Sequence, residues 1–179
     1  MPKEKVVHFV SFETKLNNEK FLMQWEHFNR SVDCDRDVVL QQSEQNDSYR
    51  YISQHHCVAG ELNFSFTKAK KSSHTAEIGI KTKQLGGYSV LQEESIYDYA
   101  EDESKVFALL IDATVDLNAF RQLPGFKKLN VYQAYYENCS FAYILEFFVK
   151  NNCLATLEEE LKVLTVSEFR VYKEMVVAV

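Results

Sequence analysis

The sequence predicts an α+β fold made of two tandem ferredoxin-like βαββαβ units in one chain. A hairpin-like segment that begins at Val39 recurs at Val131, and the predicted strands and helices around it follow the same order in both halves. We therefore expect residues 1–93 to form the first unit, residues 94–104 to form an acidic linker, and residues 105–179 to form the second unit.

The repeated segment reads VLQQSEQNDSYRYI in the first half and VYQAYYENCSFAYI in the second. Six of its fourteen positions are identical, and a seventh places Tyr49 opposite Phe141. Each copy alternates residue types on either side of an Asn-Asp-Ser or Asn-Cys-Ser turn, which is the pattern of a β-hairpin. The repeat therefore indicates a duplicated supersecondary unit.

The first half opens with the alternating strand KVVHFVSFET, and a helix with an apolar stripe follows it. The stripe consists of Phe21, Leu22, Trp25 and Phe28. The elements predicted after the first strand are a helix at residues 17–31, a hairpin at 38–57, a second helix at 60–71 and a strand at 77–93. Gly86-Gly87 predicts a bulge or bend in that last strand. Residues 74–85 have no counterpart in the second half, so we interpret them as an insertion.

The second half repeats this order with shorter parts. The strand KVFALLIDATV precedes a short helix that Asp116 can cap, and Pro124-Gly125 ends that helix. A hairpin at residues 129–149 follows, and then a helix that Asn151 or Asn152 can cap. Leucines at helical spacing predict the buried face of this helix: Leu154, Leu157, Leu161 and Leu164. The strand SEFRVYKEMVVAV completes the unit.

The segment EESIYDYAEDES between the halves contains six acidic residues and no basic one. Its self-repulsion and lack of periodicity are typical of a solvated linker. A cation site is the alternative interpretation, but the segment lacks the spacing of an EF-hand loop. We therefore expect no metal site here.

A formal net charge of −6 makes nucleic acids and anionic membranes unfavourable partners, because both attract cationic protein surfaces. No apolar run is long enough to cross a bilayer, and the first residues turn polar before a signal-peptide core could form. We therefore expect a cytoplasmic protein that does not bind membranes. The cysteines lack the spacing of a zinc site, which predicts reduced thiols: Cys34, Cys57, Cys139 and Cys153.

Two ferredoxin-like units in tandem, with SYRYISQHH running from the hairpin towards a helix, resemble the dimeric α+β barrel superfamily and within it the antibiotic biosynthesis monooxygenase-like proteins. The resemblance implies two antiparallel sheets packed face to face, here from one chain, with helices outside. It also implies a small, often aromatic or polyketide-like ligand in a cleft between sheet and helices. The chain has no clear version of the asparagine, tryptophan and histidine set associated with haem degradation, so we expect no cofactor.

Departures from the repeat point to a site in the first unit. His55 and His56 stand where the second copy has Phe147 and Phe148. We predict that one of these histidines is a catalytic base, because a neutral imidazole can accept a proton near pH 7. The two are adjacent in a strand and point to opposite faces, so they cannot ligate one metal ion together. A hydrogen-bonded histidine at the end of a strand is the alternative interpretation.

Four further residues are candidates for contacting a substrate: His8, Trp25, Arg50 and Tyr51. His8 and Trp25 lie on apolar faces, where core packing is the competing interpretation. The sequence does not determine which face of the hairpin strand packs against the helices. One face would use Arg50 with His56 to orient an anionic oxygen, and the other would pair Tyr51 with His55 as donor and acceptor.

Three functions remain open on this sequence. The first is a cofactor-independent monooxygenase-like enzyme that acts on an aromatic or polyketide-like compound. The second is a noncatalytic ligand-binding or structural protein, and the third is a haem-binding protein with one histidine as the axial ligand. A small hydrophobic or aromatic ligand is the expected partner, and the chain is expected to be a monomer or a homodimer.

Overall fold

The computed structural model describes residues 4–29, 36–45, 48–58, 79–94, 101–111, 114, 116–164 and 168–175. These residues divide into two compact units. The first unit runs up to Gly87 and includes the end of the last strand, and the second unit is Tyr88–Lys173. None of the helices in the described part of the chain is both long and apolar enough to cross a membrane.

The first unit contains an antiparallel three-stranded arrangement in which β3 is central, with β1 and β2 on its two sides. Its elements are β1 (Lys5–Thr14), α1 (Asn18–Asn29), β2 (Arg36–Gln45), β3 (Ser48–Val58) and the first part of β4 (Ile80–Gln92). Asn17 caps α1, because its side-chain Oδ1 accepts a hydrogen bond from the backbone N–H of Lys20 at 3.0 Å. The predicted helix and hairpin are therefore present here, with boundaries shifted by a few residues.

The second unit contains an antiparallel sheet in the order β8-β5-β7-β6-β4. Its elements are β5 (Glu103–Leu110), a 3₁₀ helix (Leu117–Gln122), β6 (Phe126–Ala134), β7 (Tyr143–Lys150), α2 (Leu154–Val163) and β8 (Glu168–Met175). The core of this unit joins one face of the sheet to the helices. Leu157 and Leu161 are completely buried in it, and Leu154 and Leu164 pack at its edge, which confirms the predicted leucine stripe.

Both hairpins have the same register at the predicted repeat distance. Val39 pairs with Ser53 in the first unit, and Val131 pairs with Leu145 in the second. The first strand of each unit also pairs with the hairpin at an equivalent position, because His8 of β1 pairs with His55 and Val106 of β5 pairs with Phe147. These pairings define which positions of the two units are structurally equivalent. A common origin of the two halves stays a prediction.

Several local predictions need correction. The helix capped by Asp116 is a 3₁₀ helix, although Asp116 does accept a hydrogen bond from Asn118 N–H. The N-cap of α2 is Cys153, because the two preceding asparagines belong to a separate 3₁₀ turn. Strand β4 runs through Gly86-Gly87, and at this predicted bulge or bend Gly86 has a φ of 122°, which glycine tolerates.

Other predictions fall partly outside the described residues. These include the helix at 60–71 and most of the insertion at 74–85. Of the predicted linker, Glu103 and Ser104 already belong to β5. Cys57 is disulfide-bonded, so the prediction of four reduced thiols is wrong, whereas Cys139 and Cys153 carry thiols. Sequence spacing could not reveal this bond, because pairing depends on which side chains the fold brings together.

Candidate functional site

Successive side chains of β3 point to opposite faces of the sheet, and this alternation decides which predicted site residues face α1. Tyr51 and Cys57 belong to the core cluster that contains Phe21 of α1. Because side chains two residues apart share a face of a strand, His55 lies on this helix-covered face as well. Arg50 and His56 lie on the opposite face. The structure therefore separates the two histidines predicted as alternative bases.

His8 and His55 meet on the helix-covered face of the first unit. They are directly opposite partners on the antiparallel strands β1 and β3, a position where Cβ atoms lie about 4.5–5.5 Å apart. The side chain of His8 is 6% exposed and that of His55 is 1% exposed. This pair was not predicted, because the sequence treated His8 and His55 as independent candidates on separate strands.

A third polar residue completes the cluster. Ser53 lies two residues before His55 on β3 and is fully buried. Its Oγ lies 2.8 Å from Nε2 of His55, which is hydrogen-bond distance. Ser53 was not among the site residues predicted from the sequence. The signal available was the repeat, because Leu145 occupies the position of Ser53 in the second unit.

Burial, and to a smaller extent the nearby His55, lower the pKa of His8 from 6.5 to about 3. A buried imidazolium would lose its hydration, and a second positive charge at His55 would repel it. His8 is therefore neutral at physiological pH. A neutral imidazole presents one donor nitrogen and one acceptor nitrogen.

Aromatic rings form the wall beside this cluster. The rings of Phe21 and Tyr51 stack with centroids 3.7 Å apart and an interplanar angle of 11°, and Phe12 meets Phe21 edge-on at 5.5 Å. Burial raises the pKa of Tyr51 to about 12, so its phenol stays protonated near pH 7. Phe21 and Tyr51 are at most 1% exposed, so a planar aromatic molecule would reach this position by displacing one of these rings.

The remaining predicted residues are Arg50 and His56, which lie on the other face of the sheet, and Trp25. Trp25 belongs to α1, but its side chain is not among the described ones. His56 Nε2 lies 3.3 Å from Gln54 Oε1 on the face away from α1, and Arg50 is partly exposed. The structure thus joins His8, His55 and Tyr51 on one face and leaves Arg50 and His56 on the other.

Sequence reasoning missed a second polar cluster, which lies in the second unit on the sheet face that does not carry the helix-packed core. Glu146 is its centre and is 1% exposed. Its Oε1 accepts hydrogen bonds from Asn130 Nδ2 at 2.7 Å and from the Tyr132 hydroxyl at 3.2 Å, and its Oε2 lies 3.5 Å from Lys105 Nζ. Burial, and then the charge of Glu146, raise the pKa of Tyr132.

Lys105 is as deeply buried as Glu146, and its ammonium also lies 5.4 Å from the centre of the Phe148 ring. The structurally equivalent positions of the first unit hold Val7 and Gln54. An acid within the apolar stretch YILEFFVK was the available signal, but its partners come from two other strands. No cluster of three or more metal-ligating side chains occurs among the described residues.

The helix-side imidazoles do not fit the axial site of a haem. A porphyrin needs an open slot beside the ligating nitrogen, whereas His8 and His55 are almost completely buried. Nε2 of His55 is already within hydrogen-bond distance of Ser53. Ligation would require the cluster to open, so we derive no chemistry from a haem.

No protein-family model and no curated protein matches this chain. Three solved structures are similar to it in fold. An anthrone oxidase-like protein has a TM-score of 0.54 at 11% identity, with 99% of this chain and 94% of that one covered. A proposed monooxygenase of Fusobacterium nucleatum subsp. nucleatum has a TM-score of 0.56 at 8% identity, with 98% and 94% covered.

The third structure is a proposed chlorite dismutase, with a TM-score of 0.53 at 5% identity and coverage of 97% of this chain and 95% of that one. All three are dimeric α+β barrel proteins, which confirms the predicted fold class. At these identities the likeness concerns the fold and carries no activity with it.

Proposed function

We propose that the first unit binds a small aromatic molecule between its sheet and α1 and oxidises it as a cofactor-independent monooxygenase-like enzyme. The observation that carries this proposal is the buried pair of His8 and His55. The equivalent pair in the second unit is Val106 and Phe147, so the fold itself does not require polar groups at these positions. The cost of burying two imidazoles is consistent with a functional role.

His8 is neutral near pH 7, but its pKa of about 3 makes it a weak base, so we assign proton abstraction to His55. A substrate with an acidic C–H or O–H group, such as a phenol or an anthrone, would transfer its proton to an imidazole nitrogen. The resulting anion would then supply electrons to dioxygen. In an anthrone-type reaction the CH₂ group and O₂ become a carbonyl group and one molecule of water, so no added reductant is needed.

The test uses a pair of neighbouring histidines on opposite faces. Anthrone oxidation is followed by dioxygen uptake and by the absorbance of the quinone product in wild type, His55→Phe and His56→Phe. Both substitutions install the residue found at the equivalent position of the second unit. We expect His55→Phe to lower the rate at least ~100-fold, the usual contribution of acid–base catalysis, and His56→Phe to change it little.

A loss confined to His56→Phe would move the site to the other face of the sheet. Equal rates in all three proteins would contradict the enzymatic proposal. His8→Val, which copies Val106, is expected to reduce the rate as much as His55→Phe does. Native mass spectrometry of each variant checks whether a bound molecule is retained.

The second candidate function is ligand binding without catalysis. The rings of Phe21 and Tyr51 favour it, because they place aromatic side chains beside the buried histidines and binding alone requires no base. This alternative predicts that an aromatic ligand protects the protein from thermal unfolding while no dioxygen is consumed. Stabilisation by a ligand follows its occupancy of the folded state.

A further inference from the structure

A lysine and a glutamate lie side by side in the interior of the second unit. Lys105 of β5 and Glu146 of β7 are each 1% exposed, and Lys105 Nζ lies 3.5 Å from Glu146 Oε2. A short hydrogen bond between an ammonium and a carboxylate is about 2.7–2.9 Å long. The two groups are therefore neighbours without the close bond that would best offset the loss of their hydration.

The polar cluster around Glu146 has no counterpart in the first unit. Strand pairing gives the first-unit residues at the positions of Lys105, Glu146, Asn130 and Tyr132, in that order: Val7, Gln54, Val38 and Leu40. None of these residue types carries a charge. Burial of an ion pair costs more free energy than burial of neutral residues, so the second unit keeps an unfavourable pair that the same arrangement of strands does not require.

The carboxyl group of Glu146 is held through one of its two oxygens. Oε1 accepts hydrogen bonds from Asn130 Nδ2 at 2.7 Å and from the Tyr132 hydroxyl at 3.2 Å, whereas Oε2 is the oxygen beside Lys105. The amide of Asn130 is itself oriented, because its Oδ1 accepts a hydrogen bond from the backbone N–H of Glu94 at 2.6 Å. Two donors that converge on one carboxyl oxygen form the arrangement of an oxyanion hole.

We propose that Lys105 and Glu146 condense into an amide bond, which cross-links β5 to β7 inside the second unit. Transfer of one proton from Nζ to Oε2 converts the ion pair into an amine and a carboxylic acid. The amine nitrogen adds to Cδ, and Asn130 and Tyr132 stabilise the negative charge that develops on Oε1. A second proton passes from the nitrogen to the Oε2 hydroxyl group, the Cδ–Oε2 bond breaks, and water leaves.

The condensation balances without any further reactant. One ammonium group and one carboxylate give one amide and one molecule of water, and no electron is gained or lost. Two groups held 3.5 Å apart react as a single molecule, and well-oriented groups of this kind reach effective concentrations of about 10⁵–10⁸ M. The product also replaces two buried charges with a neutral amide, which removes the cost of their desolvation. This reaction is independent of the activity proposed for the first unit.

The cross-link is tested by the intact mass of the denatured protein. The protein is first treated with dithiothreitol, so that the disulfide of Cys57 does not alter the mass. We expect wild type to be about 18 Da lighter than its sequence, the mass of one water, and Lys105→Arg, which keeps the positive charge, to have its full sequence mass. Tandem mass spectrometry of a digest should show a branched peptide that joins Lys105 to Glu146.

Three results would overturn the proposal. The first is a wild-type mass equal to the sequence mass, and the second is a loss of about 18 Da that persists in Lys105→Arg. The third is a loss of about 17 Da, the mass of ammonia, which would place the new bond on Asn130 instead of Glu146. The branched peptide is sought in wild type, so this result does not depend on the folding of a variant.

The oxyanion role of Tyr132 is tested by the rate of mass loss after cell-free synthesis. Tyr132→Phe removes a donor to Oε1 and should slow the cross-linking at least ~100-fold. Tyr143→Phe is the matched control, because the Tyr143 hydroxyl accepts its hydrogen bond from Gln133 Nε2, at 3.4 Å, and should leave the rate unchanged. Equal rates in the two variants would contradict the role given to Tyr132.

Discussion

His8 of β1 lies directly opposite His55 of β3, and both residues are buried on the helix-covered face of the first unit. At the equivalent position of the second unit, the paired residues are Val106 and Phe147, which belong to its hydrophobic core. One unit thus has an apolar core where the other has two titratable groups. This difference between equivalent positions gives the candidate site a measurable signature in stability as well as in activity.

The first prediction concerns pH. The pKa of His8 falls from 6.5 to about 3 on folding, so the unfolded chain binds a proton between these values that the folded protein does not. The free energy of unfolding should therefore decrease as the pH falls below about 6.5, by up to ~1.4 kcal/mol per pH unit from this group alone. Urea unfolding of wild type and His8→Val at pH 7 and pH 5.5 measures the difference. Parallel pH dependence in the two proteins would argue against the buried neutral state of His8.

The second prediction concerns the ion pair of Lys105 and Glu146. Lys105→Met leaves a buried carboxylate without its counter-charge and should lower the free energy of unfolding by about 3–5 kcal/mol. Adding Glu146→Gln removes that charge and places the residue type of Gln54 at the equivalent position. The double variant should therefore be more stable than Lys105→Met alone. If the second substitution adds to the loss instead, the two side chains do not act as a coupled pair.

The third prediction concerns the packing of α2. Leu157→Ala and Leu161→Ala should each cost about 2–5 kcal/mol, because both side chains are completely buried in the second unit's core. Val163→Ala on the same helix is the matched control, since Val163 is 78% exposed and surface changes usually cost less than ~0.5 kcal/mol. Chemical denaturation compares the three variants. A similar cost for all three would contradict the buried face assigned to α2.

The fourth prediction compares two glycines with positive φ. Gly79 has φ 76°, and a Cβ added there would meet no atom within 4 Å, so Gly79→Ala should cost about 1–2 kcal/mol from backbone strain alone. Gly125 has φ 68°, and a Cβ there would lie 2.8 Å from Cys153 Sγ. Gly125→Ala should therefore cost more than Gly79→Ala when both are measured by chemical denaturation. The excess should shrink when Gly125→Ala is made in a Cys153→Ala background, and an undiminished excess would exclude this contact as its cause.

The sequence by itself determined the α+β class, the hairpin repeat and the buried leucine face of α2. Each of these follows from local periodicity, because side-chain direction repeats every two residues in a strand and every 3.6 residues in a helix. The same rule predicted that His55 and His56 point to opposite faces. It could not say which face α1 covers, since that depends on Phe21 packing against Tyr51 from a distant part of the chain.

Only the tertiary structure decided which polar residues meet. His8 reaches His55, and Lys105 reaches Glu146, through strand pairings that join residues more than forty positions apart in sequence. The register between such strands depends on turns, bulges and the burial of whole faces. A shift of one residue would move every side chain of a strand to the other face of the sheet. For this reason the sequence could name histidines as candidates, whereas their arrangement as a pair with Ser53 emerged from the fold.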